Sequence, residues 1–331
     1  MNVCFVVGQE DTKEFPGDTP EAYWRTLLPA RRLGTAVVVG RAGAAERATA
    51  ADVIWIFQPT CSAAASLAEV GRQLGKPVVV DWAEDVWRRS EQDNGYTEAQ
   101  IRAAERAMEA ATVIVGANRR LAEVYAEHGR AAVVETVLPL ADWTPGKEDV
   151  PAVIAWWSDG RQKAGFETVA PGLAEVMGRT GCKMVHVQFT HQKPLVEGLD
   201  KEAARARAAR LHAYFWNDLG QTVEANLRVF KEAVARAAVS VDAYAPGEYR
   251  RTVSDVSILR AAALALPTVT TRQDDLPPGC IGARPGEWAD TICELLEDRD
   301  RRRRLGGQAR AWAETRSTYE GYEALLQEVG R

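Results

Sequence analysis

The chain has 331 residues, 46% apolar and 26% charged, with 15 prolines and 26 glycines; this is an ordinary globular composition that excludes a disordered, collagen-like or coiled-coil chain. Lysine and arginine number 41 against 46 acids, a net charge of −5, so no strong overall field draws the chain to polyanions. No apolar run approaches the roughly 18 residues of a membrane span, and the opening MNVCFVVGQEDTKEF lacks the marks of a secretory leader, so a soluble, cytoplasmic protein is expected.

In chain order, NVCFVV (2–7) is a continuous apolar run ending at Gly8, the pattern of a strand buried on both faces. PEAYWRTLLPARRLG (20–34) predicts a helix opened by Pro20 and closed by Gly34. TAVVVG, DVIWIF, KPVVVD, TVIVG and AAVVETV then recur as short buried strands. Stretches of 3.6-residue periodicity near 62–75, 97–111 and 118–129 separate several of them, and Thr97 with Gln100 makes a capping box. The alternation pauses at LPLADWTPGKEDVP (138–151), which carries three prolines, a glycine and charges and reads as a domain boundary.

A second series follows: VIAWW (153–157), a helix near 165–180, CKMVHVQF (182–189), a helix near 219–235, VSVDAY (239–244), a helix near 254–265 and PTVTT (267–271). Helices near 286–297, 299–315 and 318–329 end the chain, the middle one rich in arginine. The predicted fold is α/β: two tandem Rossmann-like domains, 1–146 and 147–331, facing across a cleft, with C-terminal helices closing the chain and the last one packing back on the first domain. The five cysteines, Cys4, Cys61, Cys182, Cys280 and Cys293, form no CxxC pair, and His186 and His191 share no helical face with a carboxylate. Neither a disulfide framework nor a metal site is expected.

Ligands of open α/β sheets sit beyond the carboxyl ends of the strands, so chemistry is sought there. In DWAEDVWRRSEQDNGY (81–96), Asp81, Glu84 and Asp85 crowd negative charge at a strand end, where repulsion and a tryptophan-lined setting suit a general base. Trp82 and Trp87 offer flat faces to an acceptor beside Arg88, and Gly8 and Gln58 end neighbouring strands. In the second half, Arg161 and Lys163 follow a strand end and suit a diphosphate. Arg250 and Arg251 precede a helix start at Ser254, Asp255, Val256 and Ser257, whose amides suit the same anion; a simple helix cap is the competing reading.

SDVSILRAAALALPTVTT (254–271), VVVDWAEDVW (78–87), ATVIVGANRRLAEVYAEHG (111–129), LPLADW (138–143) and the tail GEWADTICELLEDRDRRRRLGGQARAWAETRSTYE (286–320) together resemble the GT-B-fold glycosyltransferases related to glycosyltransferase family 4. The resemblance implies a nucleotide-diphosphate-sugar donor, a UDP-sugar, held mainly by the second domain, an acceptor held by the first, and no obligatory metal or other cofactor. It assigns Arg161 and Lys163 to the diphosphate and Ser254, Asp255 and Val256 to the phosphate-facing helix start; Arg251 joins the donor-binding set by its charge beside that helix start. Two departures stand out: Arg260 and Thr252 occupy positions where many members carry glutamates, the first of which holds the donor ribose. The first-domain histidine of retaining members is also absent, with Asp81 near its place, which points to inversion by a carboxylate base.

The expected activity is sugar transfer to an acceptor hydroxyl, with no protein partner implied. The arginine and tryptophan run at 82–89 and the arginine-rich helix at 299–310 make a hydroxymethylated pyrimidine in DNA one acceptor to test. A sugar-nucleotide epimerase or phosphorylase of the same fold, or a non-catalytic sugar-nucleotide or nucleic-acid binding protein, are the alternatives.

Overall fold

The computed structural model describes residues 1–8, 22–38, 43–89, 95–146, 152–158, 163–188, 231, 234–316 and 318–330. Strands β1 (Val3–Val7), β2 (Gly34–Val38), β3 (Val53–Phe57), β4 (Val78–Trp82), β5 (Val113–Gly116) and β6 (Ala131–Val133) form one sheet in the order β2-β1-β3-β4-β5-β6, every pair parallel. Strands β7 (Val153–Ser158), β8 (Lys183–Gln188), β9 (Val239–Asp242), β10 (Thr268–Thr270) and β11 (Cys280–Gly282) form a second parallel sheet in the order β11-β10-β9-β7-β8. Both are doubly wound, with the chain reversing direction across the sheet between β1 and β3 in the first and between β7 and β9 in the second.

The apolar runs VCFVV, VIWIF and VVVDW are buried along their whole length because both faces of the sheet are covered. Successive side chains go to opposite faces: Val3, Phe5, Val53, Trp55 and Val79 enter one core, and Cys4, Val6, Ile54, Ile56 and Val80 the other. The helices that cover the first sheet are α1 (Leu28–Leu33), α2 (Ala44–Ala50), α3 (Ser62–Gln73), α4 (Glu98–Ala110) and α5 (Arg119–Tyr125). Helix α4 opens with the predicted capping box, in which Thr97 N donates to Gln100 Oε1 at 2.9 Å and Gln100 N donates to Thr97 Oγ1 at 3.3 Å.

The second sheet carries α6 (Lys163–Thr180), α7 (Tyr249–Thr252), α8 (Val256–Ala263) and α9 (Trp288–Glu297), followed by α10 (Arg299–Arg316) and α11 (Glu320–Val329). Helix α11 returns to the first sheet, where Tyr322 stacks on Trp55 with ring centroids 5.0 Å apart. One continuous apolar core therefore includes Val3, Phe5 and Trp55 of the first sheet, Leu259 and Ala262 of α8, and Leu325 and Leu326 of α11.

Several local expectations are corrected. The single helix expected over 20–33 is, within its described part, a π-helical turn at Tyr23–Leu27 followed by α1. Pro29, near the start of α1, has no N–H to give to the preceding turn, which loosens there to i→i+5 spacing. The strand expected through AAVVETV spans only Ala131–Val133. β11, set among prolines and glycines, and α7, in a stretch read as loop, carry too few residues to show a period. Most of the helix expected near 219–235, and His191, lie outside the described residues.

Candidate active site

The carboxyl edges of the two sheets meet. In the first sheet the reversal point lies between Gly8 and Gln58: Gly8 N donates to Phe57 O at 2.8 Å, and Thr60 N donates to Gly8 O at 3.1 Å. A Cβ on Gly8 would stand 2.8 Å from Pro59 Cα and 2.9 Å from Phe57 O, so only glycine allows this crossing. Gln58 is held at φ +46°, a left-handed conformation costly for a side-chain-bearing residue, and its amide reaches Glu84 Oε1 at 3.3 Å. In the second sheet a Cβ on Gly165 would lie 2.4 Å from Ala243 O, so glycine lets the first turn of α6 close onto the loop after β9.

The three acids of the 81–85 stretch have three different roles. Asp81 is fully buried: its Oδ1 accepts from Arg25 Nε at 3.0 Å and Nη2 at 2.5 Å, and its Oδ2 accepts from Trp55 Nε1 at 2.9 Å. Burial pushes its carboxyl up from the usual carboxylate range, while the Arg25 charge and these hydrogen bonds pull it back. Arg25 also donates to Thr136 Oγ1 and Val134 O. Asp81 therefore lies under the cleft rather than in it, which corrects its assignment as a base. Asp85, also buried, accepts from Trp87 N at 3.0 Å and Arg88 N at 3.2 Å, and so shapes the turn that carries both.

Glu84 is the acid at the domain junction. Its Oε1 accepts from Tyr96 Oη at 2.5 Å and from Gln58 Nε2, and its Oε2 accepts from Tyr249 Oη at 2.5 Å and from Arg89 Nη1. Tyr249 comes from α7 of the second half, and burial raises its hydroxyl far above the usual tyrosine range, which keeps it a donor. Two further contacts cross the same boundary. Asn118 caps α5 by accepting from Leu121 N at 2.8 Å, while its Nδ2 donates to Thr252 O at 3.2 Å and Val253 O at 2.8 Å. Ser254 N donates to Ala83 O at 2.9 Å.

The aromatic acceptor platform is only partly there. Trp82 is fully buried and stacked on Tyr125, with centroids 5.6 Å apart; it is a packing residue, which corrects that assignment. Trp87 is half-buried, stacks on His128 at 4.4 Å and donates Nε1 to Glu105, while Arg88 is exposed. Along α10, Arg301 pairs with Glu294, Arg302 donates to the carbonyls of Leu295 and Leu296, and Arg310 donates to Trp143 O and pairs with Glu314.

On the donor side, Arg161 lies outside the described residues and Lys163 is the first residue of α6. Ser254 is buried with its amide on Ala83 O, and Asp255, at the N-cap of α8, pairs with Arg272. Val256 is buried, and Ser257 Oγ donates to Asp242 Oδ1 at 2.6 Å. Arg260 is buried with its guanidinium 4.2 Å from the centroid of the Trp24 ring, and Thr252 Oγ1 donates to Tyr249 O. Arg251 is exposed and pairs with Glu248 at 3.2 Å. Beside it lies a shallow open depression lined by Arg120, Arg250, Arg251, Arg272, Asp274 and Asp275, where Arg120 pairs with Glu123 at 3.3 Å. Sequence reasoning did not single out Arg25, Asn118, Tyr249 or Arg272, whose contacts with Asp81, with Thr252 and Val253, with Glu84 and with Asp255 are distant in sequence. Among the described residues no group of three or more His, Cys, Asp or Glu side chains is placed to hold a metal ion, and no helix is long and apolar enough to cross a membrane.

No protein-family model matches the sequence, and no curated protein is similar enough in sequence to be matched. Solved structures do match in fold. The crystal structure of TarM superposes with a TM-score of 0.53 at 8% identity, over 84% of this chain and 54% of that one. An S. aureus TarM mutant in complex with Fondaparinux, alpha-GlcNAc-glycerol and UDP gives a TM-score of 0.53 at 7% identity, over 84% and 55%. The chain spans about half the length of the TarM chains it matches. The likeness is one of architecture: the chain has the GT-B fold, two parallel-sheet α/β domains with helices closing the chain.

Proposed function

We propose that the protein is a glycosyltransferase that moves a sugar from a nucleotide-diphosphate-sugar, a UDP-sugar, to an acceptor hydroxyl. The main support is the meeting of the two carboxyl edges, with Glu84 of the first half bonded to Tyr249 of the second and Ala83 bonded to Ser254. In open α/β sheets that edge is where ligands bind, and here the reversal points of both sheets open onto it. UDP lies with a TarM mutant of the same architecture, and the donor class is carried over from there.

The division of labour follows from the side chains. Glu84 is the base, since Asp81 is buried beneath the cleft and Asp85 is spent on its own turn. Its oxygens accept from four donors in the present arrangement, so it takes a proton once the contact with Tyr249 opens. The acceptor oxygen then bonds to the anomeric carbon from the face opposite the leaving group, its proton passes to Glu84, and the bond to the diphosphate oxygen breaks with inversion. Arg161, Lys163 and the start of α8 meet the charge that develops on the nucleoside diphosphate, and no metal ion has a part in it.

A hydroxymethylated pyrimidine of DNA is not carried forward as acceptor, because Trp82 is buried and Arg301, Arg302 and Arg310 are engaged within the protein. The test is thermal unfolding against a panel of nucleotides and nucleotide sugars, followed by donor turnover in wild type and Lys163→Ala. A UDP-sugar should raise the midpoint, and Lys163→Ala should lower turnover at saturating donor. If no nucleotide shifts the midpoint, sugar transfer is excluded. Rearrangement of the donor without an acceptor would mark an epimerase instead, and binding without consumption a non-catalytic protein.

A further inference from the structure

Glu84 is a saturated carboxylate. An ionised carboxyl group offers about four lone-pair positions, two on each oxygen. Here each oxygen accepts from two donors: Gln58 Nε2 and Tyr96 Oη on Oε1, Tyr249 Oη and Arg89 Nη1 on Oε2. Gln58, Tyr96 and Arg89 belong to the first half of the chain, as Glu84 does. Tyr249, from α7, is the one donor among the described residues that the second half supplies. Parting of the halves at this contact therefore empties one lone pair of Oε2 and leaves the other three positions filled.

Both donors to Oε1 are fixed by their own surroundings. Gln58 is buried and keeps its left-handed backbone, φ +46°, between two hydrogen bonds: its N donates to Asp81 O at 2.8 Å, and its O accepts from Thr60 N at 2.8 Å. A conformation so uncommon outside glycine persists only where the surroundings impose it, and such residues gather at functional sites. From this position the amide reaches Glu84, 26 positions along the chain, on the neighbouring strand end. Tyr96 packs against the core that holds Trp82 and Val86, and the residue after it, Thr97, caps α4. Its hydroxyl thus meets Glu84 Oε1 at 2.5 Å from an anchored backbone.

We infer that Gln58 and Tyr96 are positioning residues for Glu84: by filling both lone pairs of Oε1 they leave a single direction, the one that Tyr249 Oη now marks on Oε2, from which an acceptor hydroxyl gives up its proton. The inference rests on the sugar-transfer reading and deepens it. Arg89 keeps the second position on Oε2, and an acceptor that displaced it would strand a buried cation. A base with one open lone pair accepts from one side only, the side of the second half, where the donor is held. The acceptor oxygen is thereby set against the donor before the proton moves.

The test is release of UDP by the full chain from UDP-glucose and from UDP-N-acetylglucosamine, with water as the acceptor. Tyr96→Phe and Gln58→Met each remove one donor from Oε1. In each, kcat should fall on the order of tenfold, a fraction of the roughly 100- to 10,000-fold that a general base supplies. The KM for the donor should stay within about twofold, because the donor is held by other residues. Thr97→Ala removes the neighbouring cap and loosens the start of α4 without touching Glu84; it should lower the melting midpoint and keep kcat. The midpoint shift produced by UDP should be the same in wild type and all three variants. Unchanged kcat in Tyr96→Phe, or an equal loss in Tyr96→Phe and Thr97→Ala, overturns the inference. A rise in Tyr96→Phe also overturns it, since the acceptor would then enter by displacing that hydroxyl. Should Gln58→Met fail to fold, Tyr96→Phe decides alone. Wild type that binds UDP but releases none from either donor overturns this inference, whereas wild type with no response to UDP rejects sugar transfer itself.

Discussion

Replacing Asp81 by asparagine separates a structural acid from a catalytic one. Asp81 and Arg25 have no exposed side-chain surface, and the carboxylate takes both of its Arg25 hydrogen bonds on Oδ1. Asparagine keeps an oxygen that can accept but removes the only charge within 4 Å that offsets the Arg25 guanidinium among the described residues. Breaking a buried pair from one side costs about 3–5 kcal/mol, because the remaining charge stays desolvated. With about 2–4 °C lost per kcal/mol for a unit of 150–250 residues, the midpoint should fall by roughly 10 °C. Circular dichroism melting at pH 7 measures this, and a urea midpoint provides an independent check. Replacing both partners, Arg25→Met with Asp81→Leu, removes the stranded charge and should cost clearly less than the two single changes added together. If Asp81→Asn melts within about 2 °C of wild type and yet loses turnover, the structural role is refuted and Asp81 returns as a base.

Tyr249→Phe removes one buried donor from Glu84 and should cost about 1.5–3 kcal/mol, the range for a hydrogen bond to a charged group; hydrogen exchange should accelerate in 83–89 and 249–257, and unchanged exchange there would contradict the junction. Asn118→Ala loses both the α5 cap and the donors to Thr252 O and Val253 O, about 2 kcal/mol in urea unfolding, whereas Asn118→Asp keeps the cap and should lose only the part that crosses the boundary. Burial raises the Asp242 carboxyl above its usual range, against hydrogen bonds from Ser257 and Thr270. A raised carboxyl contributes stability that is complete below the unfolded value of about 3.9 and fades as pH rises through the folded one. The stability of Asp242→Asn relative to wild type should therefore climb with pH from about 4 upward, and a falling difference would reverse the sign.

The sheets were readable because burial on both faces leaves a mark in single residues. VCFVV, VIWIF and VVVDW carry no polar residue before Asp81, and the capping box at Thr97 and Gln100 acts over three positions. Signals that act locally survive in one sequence. The π-helical turn before Pro29 was legible in principle, since proline's missing N–H is a local fact, but the apolar spacing around it drew the helix as continuous. The partners of Asp81 and Glu84 are 56 and 165 positions away in Arg25 and Tyr249, and no periodicity connects them. Three acids clustered at one strand end were thus recognised as a set, while their separation into a buried ion pair, a turn-former and a junction residue depended on the fold.

Arg260 is where the resemblance and the structure bear on each other most directly. A glutamate at this place on α8 is expected to hold a ribose, and a cation there would repel nothing a ribose offers yet could not accept its hydroxyl hydrogens. The guanidinium lies instead over Trp24, 4.2 Å from the ring centroid, in the short helical stretch that also supplies Arg25 to Asp81. A cation over an indole face, removed from water, is worth about 2 kcal/mol, and here it fastens α8 to the first half of the chain. The same exchange of residue type therefore withdraws a ligand group from the cleft and adds a fastening across it. With Thr252 Oγ1 bonded to Tyr249 O and Arg260 turned onto Trp24, neither side chain supplies the carboxylate that the resemblance places there for a ribose.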